Sequence, residues 1–129
     1  MSTPARILRD RYKSDTVDTA SPGKLITMMY DRLLVDIEYG HAAILRKDRE
    51  EANTQLQHAQ AVLMELLGAL DQDAWSGGPA LASIYVFVHN ELFQANVDQD
   101  AAKAESCRQL LLPLQDAWQQ AVVLAASGA

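Results

Sequence analysis

Apolar residues recur at helical spacing along four successive segments, and this pattern constrains the fold more than any other feature of the chain. In the first segment, residues 22 to about 46, the spacings are three, four and seven, which place the apolar residues on one side of a helix. Ser21 and Pro22 precede them as a favoured N-cap and first helical residue. The members of this stripe are Ile26, Tyr30, Leu33, Ile37 and Ile44.

Three further amphipathic segments follow, predicted at about 49–71, 80–98 and 101–126. The loop from Asp71 to Pro79 contains Gly77 and Gly78, which cannot continue a helix. Pro113 falls inside the last segment, where it removes a backbone hydrogen bond, so we expect a kink or break there. The core stripes predicted for these helices are Ala52, Leu56, Ala59, Leu63, Leu66, Leu67 and Leu70; Leu81, Ile84, Tyr85, Val88, Leu92 and Ala95; and Ala104, Cys107, Leu110, Leu111, Leu114, Trp118, Ala121 and Val122.

Amphipathic helices of about 20 residues joined by short connections are typical of an antiparallel four-helix bundle. The sequence therefore predicts an all-α protein with one bundle domain over residues 21–126. Residues 1–20 are predicted to form a flexible or short-helical tail or cap segment.

Composition and charge argue against several classes of function. The chain has a net charge of -6 and a pI near 4.9, whereas neutralising nucleic-acid phosphates needs a concentrated basic surface. No run of residues is long and apolar enough for a membrane span, and the single cysteine cannot form an internal disulfide. Without a secretory signal pattern, we expect a soluble protein of the cytosol.

Catalytic and metal-binding patterns were sought and none is complete. Glu38 and His41 match the Glu-x-x-His motif of di-iron bundles once, but the second copy is missing, because Gln55 precedes His58 and Val86 precedes His89. The histidines are interpreted as surface residues.

Other chemistry-bearing residues also have ordinary structural interpretations. Cys107 falls on an apolar stripe and is interpreted as core packing. Asp31, Asp36 and Glu38 are expected on a solvated face. The sequence predicts a protein that is not an enzyme, with no cofactor, no metal and no catalytic residue.

Apolar residues that the core stripes do not account for are the sequence feature that indicates a function. A monomer normally limits exposed apolar groups to scattered side chains unless they mark a binding site. An amphipathic partner segment in a groove between helices would cover them, and the tail could occupy the same groove when the partner is absent. Alternatively, the first helix is central and buried on two sides. The predicted partner-binding residues are Ile7, Leu8 and Tyr12 in the tail, Leu25, Met28 and Met29 in the first helix, Met64 in the second, and Val86, Phe87, Phe93 and Val97 in the third; Val35, Tyr39, Ala43 and Ala82 extend the same strips.

The order and spacing of several short motifs resemble a known family. They include Tyr12, Val17, Ala20-Ser21-Pro22, Leu25-Ile26, Met28-Met29-Tyr30-Asp31, Leu70-Asp71, Gly77-Gly78, Leu81, Tyr85, Leu92, Ala95-Asn96, Asp100 and Asp116-Ala117-Trp118. This set resembles the flagellin export chaperones of bacteria, the FliS family. The resemblance implies a cytosolic four-helix bundle that binds the disordered C-terminal segment of flagellin. It also implies that the protein prevents premature polymerisation and delivers flagellin to the gate of the flagellar type III export apparatus.

The chain departs from the family pattern at some positions. Arg32 stands where the family commonly has Gly, Pro79 replaces an acidic residue, and Val86-Phe87 follows Tyr85. These departures concern the contact residues. The alternatives are a helical adaptor that dimerises through the third or fourth helix, and a metal-carrying bundle.

Overall fold

The computed structural model describes residues 22–74 and 76–127, which form helices α1 (Pro22–Leu45), α2 (Arg49–Ala69), α3 (Gly78–Asp98) and α4 (Ala101–Ala126). Each of α1 and α3 packs against both α2 and α4, and the α3–α4 contact is the least extensive. The result is an all-α antiparallel four-helix bundle, as the periodicity predicts.

The core lies along the centre of the bundle and is formed by the predicted stripes. Tyr30, Ile37, Leu56, Leu92 and Leu111 are among its fully buried members. Buried residues of all four stripes form one continuous cluster, and removal of their apolar surface from water is the main driving force for assembly.

Two alanines and one leucine depart from the predicted inside–outside pattern. Ala43 and Ala82, predicted in the surplus strips, are buried, because these small side chains lie at the edges of their helices' core stripes. Leu110, predicted in the core, is 40% exposed. Its side chain is rotated by roughly 100° around α4 from that of the buried Leu111. The contact between α3 and α4 is the least extensive in the bundle.

The α1–α2 and α3–α4 turns share one design. Lys47 and Gln99 take the left-handed conformation, with φ of 63° and 51°, and end the preceding helix. Asp48 and Asp100 follow directly, and each side chain accepts a hydrogen bond from the amide three residues further on. Each turn thus ends one helix and caps the next within two adjacent residues.

Gly40 marks the closest approach of α1 to α2. A β-carbon at this position would lie 2.5 Å from Leu56 Cδ2 and 2.8 Å from its Cγ. Because Leu56 is fully buried, it cannot move aside. The absence of a side chain at residue 40 therefore permits the tight packing of these two helices.

Helix α4 runs without interruption through Pro113. Of the predicted kink or break, a break is therefore excluded, because the ring lies on the exposed side of the helix and the buried Leu111 and Trp118 anchor the helix on either side. The kink stays a prediction.

An aromatic cluster joins the diagonal helices α1 and α3 inside the bundle. The Tyr30 and Tyr85 hydroxyls are 2.7 Å apart and form a buried hydrogen bond. The Trp118 ring centroid lies 6.4 Å from that of Tyr30. Burial raises the pKa of Tyr85 to about 12, although its hydrogen bonds to Tyr30 and Trp118 act in the opposite direction.

Across residues 22–74 and 76–127, no helix has both the length and the apolar character needed to cross a membrane.

Candidate partner-binding surfaces

Helix α3 exposes more large apolar side chains than its core stripe accounts for. Val86, Phe87, Phe93 and Val97 are each between 45% and 55% exposed. Burying such side chains stabilises a complex by roughly 1.5–3 kcal/mol each when the burial is complete. The exposed apolar residues of α3 are therefore candidates for contact with another molecule.

The edge of α3 that faces α2 is identified by a side-chain hydrogen bond. The Asn96 amide donates to Asn53 Oδ1 at 2.8 Å. Phe93 lies three residues before Asn96, and Val97 lies four residues after Phe93 and lines a groove together with Asn53 and Asn96, so both fall on or beside this edge. Val86 lies seven residues before Phe93 and continues the row by two helical turns.

Met64 of α2 completes the same surface. Asn53 of α2 is paired with Asn96 of α3, and the two helices are antiparallel. Met64, eleven residues after Asn53, therefore lies level with the residue eleven positions before Asn96, which is residue 85. Met64 therefore lies opposite Val86, and its side chain is 50% exposed. We call the surface formed by Met64, Val86, Phe93 and Val97 the α2–α3 face.

An open groove continues the α2–α3 face toward the start of α2. It has a volume of about 680 Å³. Its lining residues are Arg49, Glu50, Asn53, Asn96 and Val97. The face thus has depth as well as apolar character, which suits the insertion of side chains from a partner.

A second apolar surface lies on the outside of α1, and we call it the α1 outer face. Leu25, Met28, Val35 and Tyr39 are all exposed there. Met29, predicted among the partner-binding residues, is instead partly buried and packs against the core. It lies roughly 100° from Met28, toward the buried Tyr30.

Basic side chains accompany the α1 outer face. Lys24, Arg32 and Arg46 are exposed and lie within roughly 80° of one another around the outward side of α1. The α1 outer face is therefore both apolar and basic, and α1 is diagonal to α3 in the bundle. The exposed contact residues predicted in α1, Leu25 and Met28, therefore lie on a different surface from Met64, Val86, Phe93 and Val97.

Phe87 belongs to neither of these surfaces. The Glu91 carboxylate acts electrostatically on Cys107 of α4, which places Glu91 on the α4 side of α3. Phe87 lies one turn before Glu91 and so lies on that side as well. The exposed Leu110 of α4 is on the facing helix.

Asp36 was predicted on a solvated face, and this prediction is wrong. The carboxylate is buried against α2, where it accepts hydrogen bonds from Arg32 Nε at 3.1 Å and from His58 Nδ1. The Arg32 and His58 side chains are 63% and 45% exposed. The one sequence signal for this network is the four-residue spacing of Arg32 and Asp36.

Two side chains of α4, Cys107 and Glu105, have pKa values shifted by their surroundings. Burial raises the pKa of the Cys107 thiol to about 12, so it stays protonated at neutral pH and is a poor nucleophile. Glu105 has a pKa lowered to about 2, chiefly because it accepts a hydrogen bond from Arg108, and both lie near the surface. Within the part of the chain that the structure describes, no three His, Cys, Asp or Glu side chains converge as a metal site would require.

The tail residues Ile7, Leu8 and Tyr12, predicted to contact the partner, lie outside the described residues. Their contribution stays a prediction.

Fold and surfaces together define a small helical protein with a groove and extended apolar faces, which is the construction of a partner-binding module. The chain belongs to the FliS family: the family model described as "Flagellar protein FliS" matches residues 5–125. The flagellar secretion chaperone FliS of Bacillus subtilis (strain 168) is 30% identical over 111 residues, which cover 86% of this chain and 83% of that protein.

Proposed function

We propose that this protein is a cytosolic export chaperone for flagellin. It binds the disordered C-terminal segment of flagellin, prevents premature polymerisation and supports delivery to the gate of the flagellar type III export apparatus. The observation that carries the proposal is the α2–α3 face, an apolar surface on a chain of the FliS family.

A disordered client suits such a surface for thermodynamic reasons. A segment that folds on binding loses conformational entropy at that moment, so its apolar contacts offset an ordering cost and the net affinity stays moderate. While those contacts last, the client's apolar residues are unavailable for association with other subunits. Protection and later release therefore follow from the same surface.

Side-chain flexibility favours a client that must be handed on. Met28 and Met64 carry flexible thioethers, which adapt to irregular partner surfaces at little strain. In the described part of the bundle, the buried charge network around Asp36 lies between α1 and α2, away from the α2–α3 face. Release of a client from this face requires no buried ion pair to be broken.

The direct test is co-purification with flagellin. The chain is expected to co-elute with intact flagellin and not with flagellin lacking its C-terminal segment. Equal co-elution with both forms would show that the client site is elsewhere on flagellin. Failure to co-elute with either form would overturn the proposed function.

Charged substitutions on α3 test which surface is used. Phe93→Asp and Val86→Asp are each expected to weaken flagellin binding by about tenfold or more, because an unpaired carboxylate would be buried in the contact. Gln94→Asp, on the exposed side of the same helix, is the matched control and should leave binding unchanged.

Circular dichroism separates surface effects from folding effects in these variants. Helix content should be retained in all three. Loss of the fold in Phe93→Asp would show that this side chain belongs to the core and not to the binding surface.

Dimerisation through α3 and α4 is a second candidate, favoured by the exposed Phe87 and Leu110 on facing helices. Sedimentation equilibrium tests it: a dimer that Phe87→Asp dissociates would support an adaptor, whereas a monomer at micromolar concentration would exclude this interface.

A further inference from the structure

Polar side chains along the α2–α3 face are amides and carry no charge. From α2 they are Asn53, Gln57 and Gln60, spaced so that they share the side of Met64. From α3 they are Asn90 and Asn96, each close in helical position to Val86, Phe93 or Val97. Among the described residues of this face, the charged side chains are Arg49 and Glu50, which border the groove at one end. His89, between Val86 and Phe93 in α3, is a titratable side chain.

The neutrality of this face contrasts with the rest of the molecule. The chain has a net charge of -6, and 22% of its residues are charged. The α1 outer face carries Lys24, Arg32 and Arg46 among its apolar residues. A surface of about three helical turns without a charged side chain along its middle is therefore a distinct chemical environment on this protein.

From this geometry we propose that the α2–α3 face selects a client helix whose contacting side is uncharged. The contacting side consists of apolar anchors flanked by amide or hydroxyl side chains, over about 12 residues. This inference rests on the proposed function and specifies the chemistry of the bound segment.

Desolvation explains the selectivity. An apolar anchor that enters between Met64 and Phe93 gains hydrophobic free energy, and an amide at the rim exchanges hydrogen bonds with Gln57 or Asn90. A carboxylate or ammonium in the same place would lose its hydration and meet no opposite charge, which is costly. Segments with charges at the contact positions are therefore rejected.

The length of the face sets the length of the segment. The twelve residues from Val86 to Val97 extend about 16 Å along the helix axis. A client helix lying along this row would place anchors at spacings of three, four and seven residues. The spacing of apolar anchors on the client helix is thus expected to match the spacing of Val86, Phe93 and Val97 on α3.

Salt dependence is the first arm of the test. The dissociation constant of a peptide covering the flagellin C-terminal segment is measured by titration calorimetry at about 0.1 M and about 1 M NaCl, where the Debye length falls from about 10 Å to about 3 Å. We expect a change of less than about threefold, because no exposed charge pair forms. Weakening by about tenfold or more would overturn the inference.

A pair of opposite charges at one position is the second arm. Gln57→Glu and Gln57→Lys should weaken binding by similar factors, within about threefold of each other, because both introduce an unpaired charge. Tightening by one variant and weakening by the other would show that the client carries a charge at this point and would overturn the inference. Gln109→Glu and Gln109→Lys, at an exposed position of α4, are the matched controls and should leave binding unchanged.

Outcomes for the inference and for the proposed function can be distinguished. Absence of peptide binding at both salt concentrations, with helix content retained, would overturn the proposed function and this inference with it. Binding that is strongly salt-dependent, or that Phe93→Asp does not weaken, would overturn the inference alone. Dissociation of a homodimer by Phe93→Asp would identify a second copy of this chain as the occupant and overturn it as well.

Discussion

Cys107 of α4 and Tyr85 of α3 are buried, and burial raises the pKa of each to about 12. In the unfolded chain these groups lose their protons near pH 9 and 10, the ordinary values for a thiol and a phenol. The folded state therefore binds protons more tightly than the unfolded state at alkaline pH. The stabilisation that these two groups supply is fully present below about pH 9 and is lost as the pH rises toward 12.

We predict that the free energy of unfolding falls by up to about 1.4 kcal/mol per pH unit for each of these groups above its unfolded pKa. Urea unfolding at a series of pH values from about 7 to about 11 measures the slope. Cys107→Ala should flatten the first part of the decline, above pH 9. The same slope in both proteins would show that the thiol does not contribute.

At the residue scale, the sequence predicts burial well where a side chain is large and apolar. It fails where a small or charged residue lies at the edge of a stripe. Ala43 and Asp36 lie beside the core stripe of α1, and their burial depends on how closely α2 approaches. That approach is set by Gly40 against Leu56, a contact between helices that no local pattern reports.

At the scale of the element, the Asp36 network ties α1 to α2 asymmetrically. The carboxylate is buried, whereas its partners Arg32 and His58 are largely exposed. Removing the partners leaves a buried charge without compensation, but removing the charge leaves partners that water can solvate.

This asymmetry predicts a non-additive series of variants. Arg32→Ala combined with His58→Ala should lower the free energy of unfolding by about 3 kcal/mol, and adding Asp36→Asn should restore part of that loss. Chemical denaturation measures both. Arg46→Ala, which breaks a surface pair with Asp48 at 3.6 Å, is the control and should cost less than about 0.5 kcal/mol. A further loss on adding Asp36→Asn would contradict the argument.

Pro113 offers a second prediction for α4. The proline nitrogen cannot donate to the Gln109 carbonyl, although the helix continues through this position. Pro113→Ala supplies the missing donor on an exposed surface and should raise the free energy of unfolding by about 1–2 kcal/mol. Thermal denaturation provides the measurement. A lower melting temperature would show that the proline shapes the helix in a way the core requires.

Element by element, the periodicity of apolar residues was sufficient to predict all the helices that the structure describes. The turns were harder to interpret. Lys47 and Gln99 adopt left-handed backbone without being glycine, so the sequence carries no conformational marker at either position. Asp48 and Asp100, the residues that begin the next helices, are the visible signals.

For the whole molecule, the core that the structure describes is built from residues of α1 to α4. Deletion of residues 1–16 is therefore expected to leave the free energy of unfolding within about 0.5 kcal/mol of the full chain. If Ile7, Leu8 and Tyr12 compete with the client for the α2–α3 face, the deletion should leave flagellin affinity unchanged or tighten it. Calorimetry on both forms decides this, and a large loss of affinity would show that the tail contributes contacts to the client.

The sequence predicts the bundle and most of the surplus apolar residues, but it does not predict how they group. Met64, Val86, Phe93 and Val97 come together because α2 and α3 are neighbours with the register set at Asn53 and Asn96. Leu25 and Met28 lie on a diagonal helix and form a different surface. Which helices are adjacent depends on their order around the bundle, and the apolar stripes of the sequence do not determine that order.

The hydrogen bond between Tyr30 and Tyr85 has a consequence for misfolding. Apolar stripes tolerate sliding, since one leucine replaces another in the interface, but the two hydroxyls are partners for each other inside the core. A shift of α1 against α3 by one turn, about 5.4 Å, would separate them and leave both without that partner at a cost of roughly 1–3 kcal/mol each. The tyrosine pair therefore disfavours, during folding, bundles in which α1 is shifted along α3.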